Sequence, residues 1–185
     1  MSPASPMPRP PDSFTTARLL ARQPRVSDAA ALFAAYASDP VATKYLSWKA
    51  YTEVPPLAQF LQVRIDDWAQ NKGLYNYVLC TRGSDAPIGN IGIHIQPRST
   101  LFGYVLARSH WGQGLMAEAL SYLVDWSLAQ PEIFRAWAFC DAENPASARV
   151  MEKAGMIREG ILRRWHTCPN IGPEPRDCIV CARVK

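Results

Sequence analysis

The stretch Arg108-Ser109-His110-Trp111-Gly112-Gln113-Gly114-Leu115-Met116-Ala117-Glu118-Ala119-Leu120 holds the residue pattern most able to do chemistry. A strand-like run, Leu101 to Leu106, precedes it, and a long apolar-periodic segment follows. Two glycines at a strand-to-helix junction expose a row of backbone N–H groups, and the helix dipole adds positive partial charge at the same place. A chain without a metal holds an anionic group such as a phosphate in this way. The middle of the chain therefore reads as the seat of a phosphorylated ligand.

The cysteines offer less. Cys80, Cys140, Cys168, Cys178 and Cys181 are odd in number. Cys178 and Cys181 have metal-like spacing, but their segment reads as a strand, where residues three apart face opposite sides. With no second pair at suitable spacing, the five read as buried free thiols in a reducing compartment, and no metal is expected.

The elements that position the glycine turn follow from periodicity and punctuation. Thr16–Arg22 reads as a first strand, ended by Pro24. Ser27 and Asp28 can cap a helix carrying Ala29, Leu32, Phe33 and Tyr36 on one face, ended by Asp39-Pro40. A connecting stretch, Val41–Trp48, holds Tyr45 and Trp48. Pro55 and Pro56 start a second helix with Leu57, Phe60, Leu61, Ile65 and Trp68 on one side. Tyr75–Thr81, Ile88–Gln96 and Thr100–Leu106 alternate as short strands parted by turn residues, which predicts an antiparallel meander.

A long helix, Gly114–Ala129, presents Met116, Leu120, Leu123, Val124 and Leu128 to the sheet. Phe134–Cys140 reads as a strand. Asn144-Pro145 starts a helix that Gly155 ends. Strands at about Ile157–His166 and Asp177–Val184 flank a loop rich in Pro and Gly. The order β-α-α-β-β-β-α-β-α-β-β predicts an α/β (α+β) fold, with a mixed, mostly antiparallel sheet and helices packed on it.

At 185 residues and 48% hydrophobic content the chain suits one globular domain, and no run approaches the roughly 20 apolar residues of a membrane span. Residues 1–13 are proline-rich and lack the basic and apolar regions of a signal peptide, so they read as a disordered tail before a domain at 14–185. The formal charge of +4 is mild. Arg163-Arg164-Trp165-His166 is the nearest approach to a basic, aromatic stripe, too thin for nucleic-acid binding, while the excess charge suits a polyanionic cofactor. The expectation is a cytoplasmic protein, monomer or homodimer, with neither nucleic acid nor membrane as partner.

Several ordered stretches resemble the GCN5-related N-acetyltransferase (GNAT) family, in the branch of the RimJ and RimL ribosomal-protein acetyltransferases. They are Thr16-Ala-Arg-Leu-Leu-Ala-Arg22, Ile88-Gly89-Asn-Ile-Gly92, Gly103-Tyr104-Val-Leu-Ala, Trp111-Gly-Gln-Gly-Leu-Met-Ala-Glu-Ala-Leu120, Asn144-Pro-Ala-Ser147 and Met151-Glu-Lys-Ala-Gly-Met-Ile-Arg-Glu-Gly160. The resemblance implies a single GNAT domain with helices on both faces of the sheet. It also implies a splay between the fourth and fifth strands, counted from Thr16. The co-substrate would be acetyl-CoA. Its pyrophosphate would lie on amides of Gly112, Gln113, Gly114, Leu115, Met116 and Ala117, beside Trp111, with Met116 replacing the family's small residue and turning toward the core. The pantetheine arm would lie along Tyr104, Val105 and Leu106. Asn144 would hold that arm, cap the helix, or both.

The implied reaction is direct acetyl transfer to a primary amine, on a protein or peptide N-terminus or a small molecule, without an acyl-enzyme. Ser147 occupies the position of a serine proposed as general acid in RimL-like enzymes; the other reading is a serine bonded only to backbone. The tyrosine that many members place on this helix is missing, since that stretch reads Val150-Met151-Glu152. His166, Glu159 and His94 are the candidate bases, the last also readable as a plain strand residue. Tyr45, Trp48, Trp165 and the loop Pro169–Pro175 would wall the acceptor site. Sparse acidic residues favour a peptide N-terminus or small amine over an aminoglycoside or polyamine. The alternatives are a non-catalytic acyl-CoA sensor and an acyltransferase using another donor.

Overall fold

The computed structural model of the protein describes residues 8–185. Among the described residues, eight strands form one sheet in the order β1-β2-β3-β4-β5-β6-β8-β7. They are β1 (Ser13–Thr15), β2 (Leu19–Arg22), β3 (Leu74–Thr81), β4 (Pro87–Gln96), β5 (Ser99–Leu106), β6 (Arg135–Asp141), β7 (Ile157–Thr167) and β8 (Pro175–Val184). The meander β3-β4-β5 is antiparallel, and β5 with β6 is the parallel pair. The helices are α1 (Ala29–Leu32, continued by a wider turn to Ala37), α2 (Val54–Ala69), α3 (Leu115–Ala129) and α4 (Pro145–Lys153). No helix among the described residues is long and apolar enough to cross a membrane.

The expected first strand, Thr16–Arg22, is in fact the second arm of a hairpin. The Thr16 N–H donates to the Leu19 carbonyl and the Leu19 N–H to Thr16 Oγ1, so residues 16–18 make the turn. Phe14 stacks on Tyr122 of α3 with ring centroids 4.1 Å apart, which gives the short β1 its anchor. The sheet thus has one strand more than periodicity predicts. Of the expected tail, residues 1–7 lie outside the described residues. The stretch that follows is laid on the body: Tyr77 Oη donates to the Pro11 carbonyl, and the Arg9 guanidinium stands over the Trp68 ring.

Strand alternation sends Tyr75, Tyr77, Ile91, Ile93 and Ile95 toward α3 and α4, where Leu120, Leu123, Val124 and Met151 meet them. Val78 and Cys80 face the other way, toward Leu32, Leu57 and Leu61 of α1 and α2. Each such buried aliphatic side chain stabilises the fold by about 1.5–3 kcal/mol. Helices therefore cover both faces. The five cysteines are all free and buried, and among the described residues no group of His, Cys, Asp and Glu converges as metal ligands.

A buried ion pair joins three elements at one corner. Arg22, ending β2, donates to Asp28 at 2.7 and 2.8 Å just before α1, and to Asp85 of the β3–β4 turn at 2.6 Å. Both Arg22 and Asp28 are almost fully buried. Arg22→Met should leave the Asp28 carboxylate buried without a cation and lower stability by roughly 3–5 kcal/mol in urea unfolding. A loss under about 1 kcal/mol would mean that solvent reaches Asp28 freely.

Candidate active site

The turn after β5 is built by side chains that fasten it and amides that stay free. The Trp111 indole donates to the Leu106 carbonyl at 2.7 Å, folding the turn onto the strand end. Arg18 braces the far side: its Nη1 donates to the Gln113 carbonyl at 2.8 Å, while its Nε and backbone N–H bind the Glu118 carboxylate at 2.7 and 2.9 Å. Gly112 and Gly114 both adopt φ of +76°, a left-handed conformation that side chains disfavour. The helical ladder starts only with the Glu118 N–H on the Gly114 carbonyl. Among the described residues, the amides of residues 112–117 have no backbone acceptor. Met116 is 4% exposed, its side chain turned into the core as expected.

These amides open into a cavity of about 470 Å³. Lys44, His110, Arg149 and Lys153 line it, against Glu143 as the carboxylate. That balance and the free amides suit a polyanion.

The parallel ladder between β5 and β6 ends at Phe102 and Ala138. Beyond that point β5 stays with β4 as far as Leu106, and β6 stays with β8 as far as Asp141. The strands part here, and they are the fourth and fifth strands of the sequence count. Tyr104 reaches across the opening: its hydroxyl lies 2.9 Å from Ser147 Oγ and donates to the Ser147 carbonyl at 3.1 Å. Burial pushes the Tyr104 phenol's pKa up, outweighing the Ser147 bond, so it stays protonated. Asn144 caps α4, accepting from the Ser147 N–H at 3.2 Å. Burial likewise pushes the Cys140 thiol up to about 12, against a bond to Ser147, which leaves it neutral and poorly nucleophilic.

A second cavity, about 440 Å³, lies on the α1–α2 side. It meets the first at Tyr45, Leu46, Tyr104, Val105, Asn144 and Ser147, which line both. Tyr45, Trp48, His94 and His166 line it too. Burial lowers the His166 pKa below its ordinary value, with Asp141 opposing, so the imidazole is neutral near pH 7. Asn170 holds the wall: its amide donates to the Thr43 and Trp48 carbonyls and accepts from the Ala50 N–H, all at 2.8–2.9 Å.

Two expected site residues are not brought here. Glu159 sits near the start of β7, where it is paired with Arg135 at the first residue of β6, and it lines neither cavity. The pairing of β7 with β8 is irregular between Arg158 and Gly160 and again between Leu162 and His166, and of Glu159 and His166 only His166 lines the second cavity. Trp165 is 52% exposed and meets Phe139 edge-on from outside the cavity. Asn170 belongs to the loop Pro169–Pro175 expected to wall the acceptor site, whereas Asn76 and Asn90 carried no signal in the sequence. An asparagine in a strand has no pattern of its own, and only the fold sets these two against the cleft.

Comparison with known proteins agrees with this geometry. Residues 18–157 match the acetyltransferase (GNAT) domain family. An uncharacterized N-acetyltransferase, p20 of Bacillus licheniformis, is 28% identical over 157 residues, covering 83% of this chain and 87% of that one. The fold also superposes on RimL, a ribosomal alpha-N-protein acetyltransferase solved with coenzyme A (TM-score 0.78, 21% identity, 91% of this chain and 95% of that one). It superposes equally on the self-immunity acetyltransferase MccE, solved with acetyl-CoA and AMP (TM-score 0.81, 17% identity, 92% and 94%).

The left-handed turn makes a direct prediction. Gly114→Ala should cost about 1–2 kcal/mol through its positive φ, and lower the melting temperature by about 2–4 °C for each kcal/mol. An unchanged melting temperature would show that the turn relaxes to another conformation at no cost.

Proposed function

The chain belongs to the GNAT acetyltransferase family, and on that premise we propose that it transfers the acetyl group of acetyl-CoA directly to a primary amine, on a peptide N-terminus or a small molecule. The observation that carries this reading is the meeting of two chemically different cavities at the opening between β5 and β6. One is rimmed by cations and free amides, the other by aromatic rings and amides. Only groups at their junction can touch both reactants.

Acetyl-CoA supplies an activated acyl group on a thiol leaving group. The free amides of residues 112–117 would hold its pyrophosphate, and the unpaired edge of β5 at Tyr104–Leu106 would line its arm. An N–H on that edge would meet the carbonyl oxygen as it gains charge. The amine must present a lone pair, so its proton passes to a base as the C–N bond forms and the C–S bond breaks. His166, neutral and in the acceptor cavity, fits that role, with His94 on the cavity floor as the second candidate. Ser147 would relay a proton to the departing sulfur and take a replacement from solvent. Its Oγ lies 2.9 Å from the Tyr104 hydroxyl, which anchors it at the junction. The neutral Cys140 thiol supports direct transfer over an acyl-cysteine.

Release of free thiol from acetyl-CoA with a panel of primary amines tests the reaction. Tight CoA binding with no release above background for any amine would replace the enzyme with a ligand sensor. Ser147→Ala should lower kcat about tenfold or more with KM for acetyl-CoA unchanged; an unaltered kcat removes Ser147 from proton transfer.

The pH dependence has a definite sign. His166 accepts a proton only when neutral, and its pKa is lowered, so the base is available above pH 6.5 and lost below the lowered value. The logarithm of kcat/KM for the amine should therefore steepen below that pH in the wild type and lose this steepening in His166→Gln. Persistence of the steepening would remove His166 as the base.

A further inference from the structure

The floor of the acceptor cavity is a grid fixed by strand register. On the side facing α1 and α2, one row runs Val78, Asn90, Val105, the next Asn76, Gly92, Gly103, and the third Leu74, His94, Leu101. The middle row is almost without side chains. A Cβ on Gly103 would meet nothing within 4 Å, and one on Gly92 would meet only the Asn76 amide, at 3.4 Å. Packing therefore does not require glycine at Gly103. Gly89 on the same strand pair is different, since a Cβ there would lie 2.6 Å from the Val105 carbonyl oxygen. Glycine weakens a strand interior, and two glycines directly opposed on a cleft floor mark a place where another molecule approaches the backbone closely.

The bare strip is bordered by one hydrogen-bonding pair. Asn76 Nδ2 donates to Asn90 Oδ1 at 2.7 Å. Whichever way the two amides are turned, that bond leaves one N–H donor group and one carbonyl acceptor facing the cavity. This is the complement of another amide. Asn90 pairs with Val105, so its backbone stands one strand spacing, about 4.8 Å, from the edge where the arm would lie.

The walls supply apolar surface and no free charge. Tyr45, Trp48, Tyr51 and Phe60 stand around the strip. Among the described residues, the one carboxylate lining the cavity is Asp141, buried and bonded to Arg176 at 2.5 and 3.2 Å, and neither Lys nor Arg lines it. A polyamine or aminoglycoside would bring ammonium groups that find no counter-charge, and a free carboxylate would fare no better.

We infer that the acceptor is a primary amine with a flat or apolar, uncharged body and an adjacent amide, the chemistry of an amino-acid amide or of a peptide's first residue. Its body lies on the Gly92–Gly103 strip and its amide is read by Asn76 and Asn90. This rests on the acetyl-transfer reading and assigns these four residues to acceptor specificity.

The test uses the full chain with L-phenylalaninamide, spermidine and free L-phenylalanine as acceptors. kcat/KM for the amide should exceed that for either of the others by about tenfold or more. Gly103→Val places methyl groups on the strip with a residue that strands favour. It should raise KM for L-phenylalaninamide about tenfold or more while the melting temperature and KM for acetyl-CoA stay unchanged. Asn76→Ala should shrink the preference for L-phenylalaninamide over phenethylamine, which lacks the amide. Equal or better turnover of spermidine, or an unaltered KM in Gly103→Val, overturns the inference. Calorimetric titration of L-phenylalaninamide into CoA-saturated protein separates the two readings. Binding that Gly103→Val abolishes upholds this inference even without turnover, when the acetyl-transfer reading alone would fail. Absence of binding overturns it.

Discussion

The end of the β5–β6 ladder at Phe102 and Ala138 is the constraint on which the site depends. Each strand is satisfied on its other side, β5 by β4 and β6 by β8, so the two can diverge without dissolving the sheet. The facing edges are then left with backbone groups that need partners, and a ligand that runs between them can supply these. The opening also places two helix starts side by side. The turn after β5 leads into α3, the turn after β6 leads into α4, and Tyr104 ties the first strand to Ser147 of the second helix.

Long-range polar contacts hold this opening in shape. Arg18, in the hairpin turn at the start of the domain, clasps both the cradle and the first turn of α3. Asp141 and Arg176 join β6 to β8 beside the α4 cap, and Asn170 fastens the last loop to the α1–α2 connection. The two cavities so enclosed differ in the way their occupants must differ. The cavity at the glycine turn carries surplus positive charge at its rim, and the cavity on the α1–α2 side carries rings and amides, with one carboxylate among its described lining residues, already paired. In the proposed reaction an attacking amine would reach the junction from surroundings that offer a polycation no counter-charge and a free carboxylate no cation.

Local patterns made much of this legible. Alternation located β3, β4 and β5 to within a residue or so, because their buried faces are specified at every second position. The glycine turn, the Asn144-Pro145 start and the burial of Met116 followed from backbone and capping rules that act over a few residues. The hairpin Ser13–Arg22 did not, since β1 is too short to show a period and is held by Phe14 stacking on a helix far along the chain. Glu159 is a related case. It shares β7 with His166, and only the irregular pairing with β8 and the contact with Arg135 show that it lines neither cavity. The middle row of the acceptor floor is set by register among three strands, information that no single segment contains.

The most direct measurement is a crystal structure of the protein with CoA. The pyrophosphate should lie on the amides of residues 112–117, the pantetheine arm between β5 and β6, and the terminal sulfur within hydrogen-bond reach of Ser147 Oγ at the junction of the two cavities. An arm lying outside the opening, or a sulfur remote from Ser147 and from the acceptor cavity, would contradict this arrangement.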